Sequence, residues 1–462
     1  MTPLLALTPI VLAIALLVFK QNSWIAAAAG VIAACLAVIL FFPTPISVLV
    51  ESGADYFPLI LEVALILLFG MVLARLLESS GSMGEISAWV EAAAPSRALG
   101  VGLVVFGLVP FAESVTGFGI GVTIGVPVLR LLGCSLRQSA ILGLLGLIAV
   151  PWGALGPGTT VAAALTGINV DDLGVATAWI NAIPVIIVAT SVILIMRPGL
   201  SSCFGIIAAA ALMWTGILAA NILIGMAPAG IIGSLLVIAV MGTRFIIRRR
   251  RTGFTRQLGL AVLPYTTLTV GLLLARALES AVPSLVTQIV ASPPFWLAAA
   301  CVIAALRVTS RGAVTSAAVR SWLPIGAGTA AFMLMGWIMT TTGMSASIGT
   351  LVPAGLVLFT PWLTAVGAIV TGSNTGANSM FTGTIDAVAT ASHVSSLPVV
   401  AAGNAAASLA ALAAPPRVAM SVQMADPSSP ASANDIAWVQ GRALTVAGIN
   451  AVALGLWIQF MV

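Results

Sequence analysis

A few ionisable residues of this sequence lie inside long apolar stretches, where a charge is costly to keep. Glu113 stands in the segment AESVTGFG, Asp386 follows the segment TGSNTGAN, and Arg417 comes directly after two prolines. A charged side chain at the centre of a bilayer costs ~2.5–3.5 kcal/mol on insertion scales, so such residues usually face a cavity or a partner. A buried carboxyl group can carry a proton, and an arginine can hold a carboxylate or serve as an anchor. Glu113 and Asp386 are therefore candidates for proton coupling, and Arg417 is a candidate for anion binding.

Four further ionisable residues belong to apolar stretches of the same kind. Glu62 and Arg75 lie in one stretch, and Arg276 and Glu279 lie near the end of another. Because residues three apart are neighbours on a helix surface, Arg276 and Glu279 are predicted to form a structural ion pair.

Two short segments rich in glycine, hydroxyl groups and amides interrupt the apolar stretches at residues 112–119 and 371–378. Glycine lets the backbone turn tightly, and hydroxyl groups with the free N–H groups of a following helix can hold a carboxylate. The anion ligands predicted from these segments are Ser114, Thr116, Gly117, Ser373, Asn374, Thr375 and Asn378.

Prolines and glycines also predict two broken helices, at residues 151–158 and 413–417. Such residues free backbone carbonyl groups, and the ends of half-helices can then face a ligand or a cation. The alternative is that these positions are plain kinks and packing contacts between small residues, which are common in membrane helices.

Composition identifies the elements that must position these groups. Of 462 residues, 60% are apolar and 7% are charged, whereas about 25% are charged in soluble domains. Apolar runs long enough to cross the ~30 Å hydrocarbon core recur along the chain. The sequence therefore predicts an all-α polytopic membrane protein with about twelve transmembrane helices. The predicted crossings are residues 3–19, 24–42, 56–77, 138–166, 173–196, 202–220, 222–243, 258–280, 287–306, 321–342, 398–424 and 436–460.

The two remaining apolar stretches, 97–130 and 350–391, are predicted to be re-entrant hairpins whose tips carry the two polar segments. With this arrangement most of the Lys and Arg residues lie on one side of the membrane, as the positive-inside rule requires of the cytoplasmic side. Both termini are then outside, and the expected location is the inner membrane of a bacterial cell.

A weak internal repeat relates the two halves of the chain. The sequence SVTG at 114–117 corresponds to SNTG at 373–376, and each lies between an uninterrupted helix and a broken one. Because the helices that precede the two hairpins run in opposite directions, we predict inverted-topology repeats. Residues 1–201 form the first repeat, residues 202–257 link the two with a basic cytoplasmic loop, and residues 258–462 form the second repeat.

Other classes of function find less support. The basic run at 248–251 is explained by topology, so no nucleic-acid partner is expected. Four scattered cysteines and one histidine indicate neither a metal site nor an enzyme. A channel would need a continuous polar lining, whereas the polar residues cluster at two tips and two breaks. We expect a secondary transporter without a cofactor, with a small carboxylate as substrate and membrane lipid around it; a homodimer is left open.

Three blocks of the sequence resemble the L-lactate permease family: residues 113–119, 151–167 and 371–378. The resemblance runs from about residue 56 to the C-terminus. It implies symport of L-lactate, glycolate or related 2-hydroxymonocarboxylates with protons, by an elevator motion of the hairpin domain. It adds Asn404 to the substrate ligands and makes Glu113 the proton carrier, with Arg417 in the second break.

The sequence departs from the family pattern in three places. Asn374 replaces an aspartate, Leu412 replaces a lysine, and Arg417 replaces a glutamine. The resulting Ser-Asn-Thr tip is similar to that of sodium-coupled carriers in the same superfamily. The alternative function is therefore sodium-coupled transport of another small organic anion, a dicarboxylate or a sulfonate.

Overall fold

A computed structural model describes residues 2–117, 119–249 and 255–461, and these residues form helices and short connections without a β-strand. The helices of the first part are α1 Thr2–Ala6, α2 Thr8–Val18, α3 Ser23–Phe41, α4 Ile46–Ser79, α5 Ser82–Ala93, α6 Arg97–Leu103, α7 Val109–Thr116, α8 Ile120–Leu131, α9 Leu136–Leu145, α10 Pro157–Thr166, α11 Val170–Ile180 and α12 Ala182–Met196. Those of the second part are α13 Leu200–Leu223, α14 Ala229–Arg249, α15 Arg256–Ala281, α16 Leu285–Ala291, α17 Pro293–Ala305, α18 Arg311–Thr341, α19 Met344–Gly349, α20 Thr360–Thr371, α21 Asn374–Ala391, α22 Ser396–Ala410, α23 Pro415–Ala425 and α24 Ala433–Met461.

The prediction of an all-helical, multi-pass membrane protein is confirmed. In the described part of the chain, ten helices are long and apolar enough to cross a membrane, or eleven when the bent pair α16–α17 counts as one span. Nine of the twelve predicted crossings are among these ten helices, and the crossing at 287–306 is the bent pair. The tenth helix is Arg97–Thr116, the first arm of the hairpin predicted at 97–130. The two remaining predicted crossings are the N-terminal stretch and the stretch at 222–243. These form shorter apolar helices, Thr8–Val18 and Ala229–Phe245.

The first predicted hairpin is a pair of packed helical arms joined by a tight turn. Its first arm runs from Arg97 to Thr116 through a π-helical turn, and its second arm is α8. The turn needs glycine twice, since Gly117 has φ +69° and Gly119 has φ +80°. Gly117 also lies so close to the first break that a β-carbon there would be 2.6 Å from Ala154 Cβ.

The second hairpin has the same form. Its arms are α20 and α21, which pack against each other, and Gly372 ends the first arm with φ +68°. Ser373 caps the second arm, because its Oγ accepts a hydrogen bond from Gly376 N at 3.1 Å. A serine in this position satisfies one of the free N–H groups at the start of a helix.

Both predicted helix breaks are present. Between α9 and α10 the chain forms an irregular 3₁₀ segment, Gly146–Leu155, in which Ala154 has φ +38°. Between α22 and α23, Ala414 is extended with ψ 129°, and Pro415 starts the next helix. The first break packs against α7, α10 packs against α21, and α23 packs against α8 and α9. Both hairpins and both breaks therefore meet in one buried region.

Candidate functional site

The carboxylate of Glu113 closes the tip of the first hairpin. Glu113 is 1% exposed, and both of its oxygens accept a hydrogen bond from Gly119 N at 2.9 Å. Its Oε2 also accepts a longer bond from Gly121 N at 3.4 Å. These N–H groups are free because they lie at the start of α8, where the helix dipole favours a negative group. Glu113 is therefore held by the backbone at a helix N-terminus.

Arg417 lies next to this carboxylate, in the first turn of α23 and 8% exposed. A β-carbon placed on Gly119 would be 3.7 Å from Arg417 Nε, and the charges of Glu113 and Arg417 attract each other without a direct ion pair. The Nη1 atom of Arg417 is buried and has no hydrogen-bond partner among the described residues. Because buried donors are nearly always satisfied, a guanidinium with a free donor is suited to an anionic ligand.

A central cavity of about 30 Å³ is lined by residues of both hairpin tips and both breaks. Six of the residues predicted from the sequence line it: Glu113, Gly117, Ser373, Asn374, Thr375 and Arg417. A cavity needs about 10–15 Å³ of such space to hold one water molecule, so this one has room for only two or three. A three-carbon acid would therefore need the walls to move apart.

Two larger cavities adjoin the central one. A wide cavity of about 280 Å³ shares Ser373 and Arg417 with it and extends along Met420. A second cavity of about 180 Å³ shares Pro157 with it and contains Arg276; we call it the Arg276 cavity.

The two adjoining cavities are lined by different half-helices of the two broken helices. Ser421 Oγ donates to Ala140 O at 2.8 Å, so the half-helix that follows Arg417 lies beside α9, which precedes the first break. The wide cavity extends along the same half-helix, whereas the Arg276 cavity is lined by Thr160 of α10, which follows the break. The central cavity is thus bordered by one larger cavity at Ser373 and Arg417 and by another at Pro157.

A network of buried amides forms the wall behind the central cavity. Asn404 Oδ1 accepts hydrogen bonds from Asn374 Nδ2 at 3.1 Å and from Asn378 Nδ2 at 2.9 Å. Asn404 Nδ2 donates to Thr159 Oγ1 at 2.9 Å and to Thr177 Oγ1 at 3.2 Å. The network joins the second hairpin to α10, α11 and α22. Asn374 reaches both the network and the cavity, whereas Asn378 and Asn404 lie behind it.

Three other candidate residues lie away from the central cavity. Ser114 Oγ is buried and points to α14, where a β-carbon on Gly230 would be 2.5 Å away. Thr116 Oγ1 donates to Ala112 O at 2.6 Å within its own helix. Asp386 is half-buried in the later part of α21 and does not line the central cavity.

Sequence reasoning passed over two residues that the site uses. Gly158 allows the close approach of α10 to the second hairpin, since a β-carbon there would be 2.5 Å from Asn374 Nδ2. Thr159 joins the amide network and also donates to Pro151 O at 2.7 Å. Both follow Pro157 in the sequence PGTT. Because proline is common at the first position of a helix, this sequence indicates the start of a half-helix, where such residues can face the site.

The predicted ion pair between Arg276 and Glu279 is wrong. Among the described residues the ion pairs are Arg75–Glu78 and Arg137–Asp435. Arg276 instead lines a cavity together with Glu62 of another helix. Spacing within one helix could not reveal a partner that comes from a distant segment.

Comparisons with known proteins bear on the family of the chain. No curated protein sequence matches the chain. Among solved structures, the crystal structure of the Alcanivorax borkumensis YdaH transporter, described as having an unusual topology, is similar to it. That likeness has 17% sequence identity and a TM-score of 0.43, and it covers 89% of this chain and 87% of that chain. The sequence model of the L-lactate permease family matches residues 2–258, which include the first hairpin, its tip and the first break. Because this match spans more than half of the sequence, the chain belongs to the L-lactate permease family.

Proposed function

We propose that this protein is a secondary transporter of L-lactate, glycolate and related 2-hydroxymonocarboxylates that works by proton symport. The observation that carries the proposal is the free Nη1 donor of Arg417, buried beside Glu113 at the meeting point of both hairpins and both breaks. Membership of the L-lactate permease family supports the choice of substrate.

The substrate carboxylate would bind Arg417, because a guanidinium offers paired donors that match a carboxylate. Ser373 and Thr375 line the same cavity, and their hydroxyl groups could bond the 2-hydroxyl group of the substrate. The Asn374 side chain offers an amide at the same wall. A site with a placed partner for each polar group discriminates strongly against acids that lack the hydroxyl group.

Glu113 is the proton carrier in this proposal. When the substrate carboxylate arrives, two carboxylates face the single guanidinium of Arg417, and like charges this close destabilise each other. Uptake of a proton removes that repulsion and keeps the loaded site electrically balanced. Symport of one proton with one monoanion moves no net charge, so the proton gradient contributes about 1.4 kcal/mol per tenfold concentration ratio.

Access to the site would alternate between the two adjoining cavities. The central cavity is too small for the substrate in this conformation, so at least one hairpin must move before binding. Inverted repeats at 1–201 and 258–462, re-entrant hairpins and an elevator motion would supply that movement. In this proposal the protein lies in the bacterial inner membrane with both termini outside, and the wide cavity faces the cytoplasm.

A sodium-coupled carrier of another organic anion is the second candidate. It is favoured by Asn374, which replaces the family's aspartate and removes one titratable group from the tip. Against it stands the amide network, because Asn404 Oδ1 already accepts two hydrogen bonds and has little capacity left for a cation.

Uptake of radiolabelled L-lactate into proteoliposomes tests the proposal. An inward proton gradient should drive concentrative uptake without sodium, glycolate should compete, and a clamped membrane potential should leave the accumulation ratio unchanged. Uptake that requires sodium would favour the second candidate. So would an accumulation ratio that rises with the membrane potential, by about 2.3 kcal/mol per 100 mV for each extra charge moved.

A further inference from the structure

The Arg276 cavity is a second charged space, separate from the cavity at the hairpin tips. Its volume of about 180 Å³ is several times the ~30 Å³ of one water molecule, so it has room for a three-carbon acid. Three charged residues from three helices line it: Glu62 of α4, Asp171 of α11 and Arg276 of α15. Pro157 belongs to the walls of both cavities. The space therefore borders the central site directly.

Arg276 is incompletely paired in this cavity. Its Nε atom is buried and has no hydrogen-bond partner among the described residues. Glu62 is near enough for its carboxylate to be attracted by Arg276, but the two form no direct ion pair. Arg276 therefore lines a space that can admit a ligand, and one donor of its guanidinium has no partner.

The charges in the cavity determine when an anion can bind. Asp171 is already engaged, because its Oδ1 accepts a hydrogen bond from Met226 N at 2.8 Å. With Glu62 ionised, two carboxylates face one guanidinium, and a further anion would be repelled. With Glu62 protonated, the charges of Asp171 and Arg276 balance, and a carboxylate can approach Arg276.

Among the side chains that the structure describes, no other charged group of the neighbouring helices lines this space. Helix α4 packs against α5, α7, α10, α17 and α18. The charged residues of these helices whose side chains the structure describes are Glu85, Glu113, Arg311 and Arg320. None of these four residues lines the Arg276 cavity. Glu62 is thus the titratable group whose protonation would free Arg276 for a ligand.

We propose that the Arg276 cavity is a second binding site for a small monocarboxylate, in which Arg276 binds the anion while Glu62 takes up a proton. The site would load one proton and one anion together before they pass the shared wall at Pro157 to Glu113 and Arg417. This inference rests on the proposed function for its substrate class. Its structural basis is independent of that function: Arg276, which has an unpaired donor, and the carboxylate of Glu62 line one ligand-sized cavity.

The test uses the full-length protein with its four native cysteines replaced by alanine and with Thr160→Cys, which places a thiol in the wall of the Arg276 cavity. The rates of modification by an anionic and a cationic methanethiosulfonate of similar size are measured, because their ratio cancels the reactivity of the thiol. We expect Arg276→Gln to lower the anionic-to-cationic ratio about tenfold, since field lines concentrate in a narrow charged cleft. Glu62→Gln should raise the ratio, and Arg276→Lys should keep it.

L-lactate should slow the modification of Thr160→Cys, more strongly at acidic than at alkaline pH. Arg276→Gln should abolish this protection, and Glu62→Gln should abolish its pH dependence. The matched control is Arg75→Gln, which removes the same charge from an exposed pair with Glu78 outside the cavity. If the proposed function is wrong, the parent protein will take up no L-lactate. The anionic-to-cationic ratio of modification rates would still show whether Arg276 attracts anions into the cavity. An unchanged ratio in Arg276→Gln, or protection that persists in it, would overturn the second site.

Discussion

Glu113 accepts hydrogen bonds from Gly119 N with both of its carboxylate oxygens, at 2.9 Å each. The side chain that could carry a proton is therefore also the group that holds the turn of the first hairpin. Loading and release of a proton at Glu113 would change the contacts of the tip itself. Binding of the proton would then change the shape of the site directly, without a further residue to connect the two.

Glu113→Gln should separate proton coupling from substrate binding. Glutamine keeps one oxygen for Gly119 N but cannot ionise, so proton-driven accumulation of L-lactate should fall at least about tenfold. Exchange of internal for external L-lactate should persist, because it needs no net movement of protons. Both are measured in proteoliposomes, with Glu85→Gln, outside the central cavity, as the control. An unchanged pH dependence of uptake in Glu113→Gln would exclude Glu113 as the carrier.

Arg417→Lys should weaken substrate binding more than its retained charge suggests. Lysine lacks the planar fork that pairs with a carboxylate, so the half-saturating L-lactate concentration should rise about tenfold, or ~1.4 kcal/mol. Arg417→Gln should abolish saturable uptake. Arg442→Gln is the matched control, because Arg442 lies over the ring of Trp438 outside the central cavity. Normal half-saturation in Arg417→Lys would favour an anchoring role.

Gly117→Ala should destabilise the first hairpin. The substitution places a β-carbon 2.6 Å from Ala154 Cβ at a residue with φ +69°. Gly133→Ala also places an alanine at a positive φ, +81°, but with open space around the new carbon. Gly117→Ala adds the clash, and its ψ of −169° together with a positive φ is a conformation that essentially only glycine adopts. The midpoint of thermal unfolding in detergent should fall more for Gly117→Ala, and equal shifts would contradict the close packing of tip and break.

Asn404→Ala should loosen the second hairpin. It removes the acceptor shared by Asn374 and Asn378, and unsatisfied buried groups cost about 1–3 kcal/mol each. We expect a lower unfolding midpoint together with weaker L-lactate binding.

Asn450→Ala provides a sharp control for this loss. Asn450 is equally buried, but neither polar atom of its amide has a hydrogen-bond partner in the described part of the chain. Its replacement should leave stability unchanged or raise it. Equal destabilisation by the two substitutions would show that the network around Asn404 contributes nothing specific.

The sequence by itself determined the membrane class, the two polar tips and the two breaks. These features are local: a run of apolar residues long enough to cross a bilayer needs no tertiary partner, and turns such as that at Gly117 need glycine for a positive φ. Glu113 and Arg417 could be singled out for the same reason, since a charge within an apolar stretch is costly wherever the helix lies.

Only the tertiary structure decided which polar side chains face the central cavity. Ser114 and Glu113 are adjacent in sequence, yet Glu113 lines the cavity while Ser114 faces Gly230 of another helix. In a soluble helix a polar face would reveal the orientation, whereas a membrane helix is apolar on the lipid side and on the packed side alike. The partners of Asn404 and Arg276 likewise come from distant segments. Their arrangement depends on helix packing, which neither hydropathy nor spacing within one helix encodes.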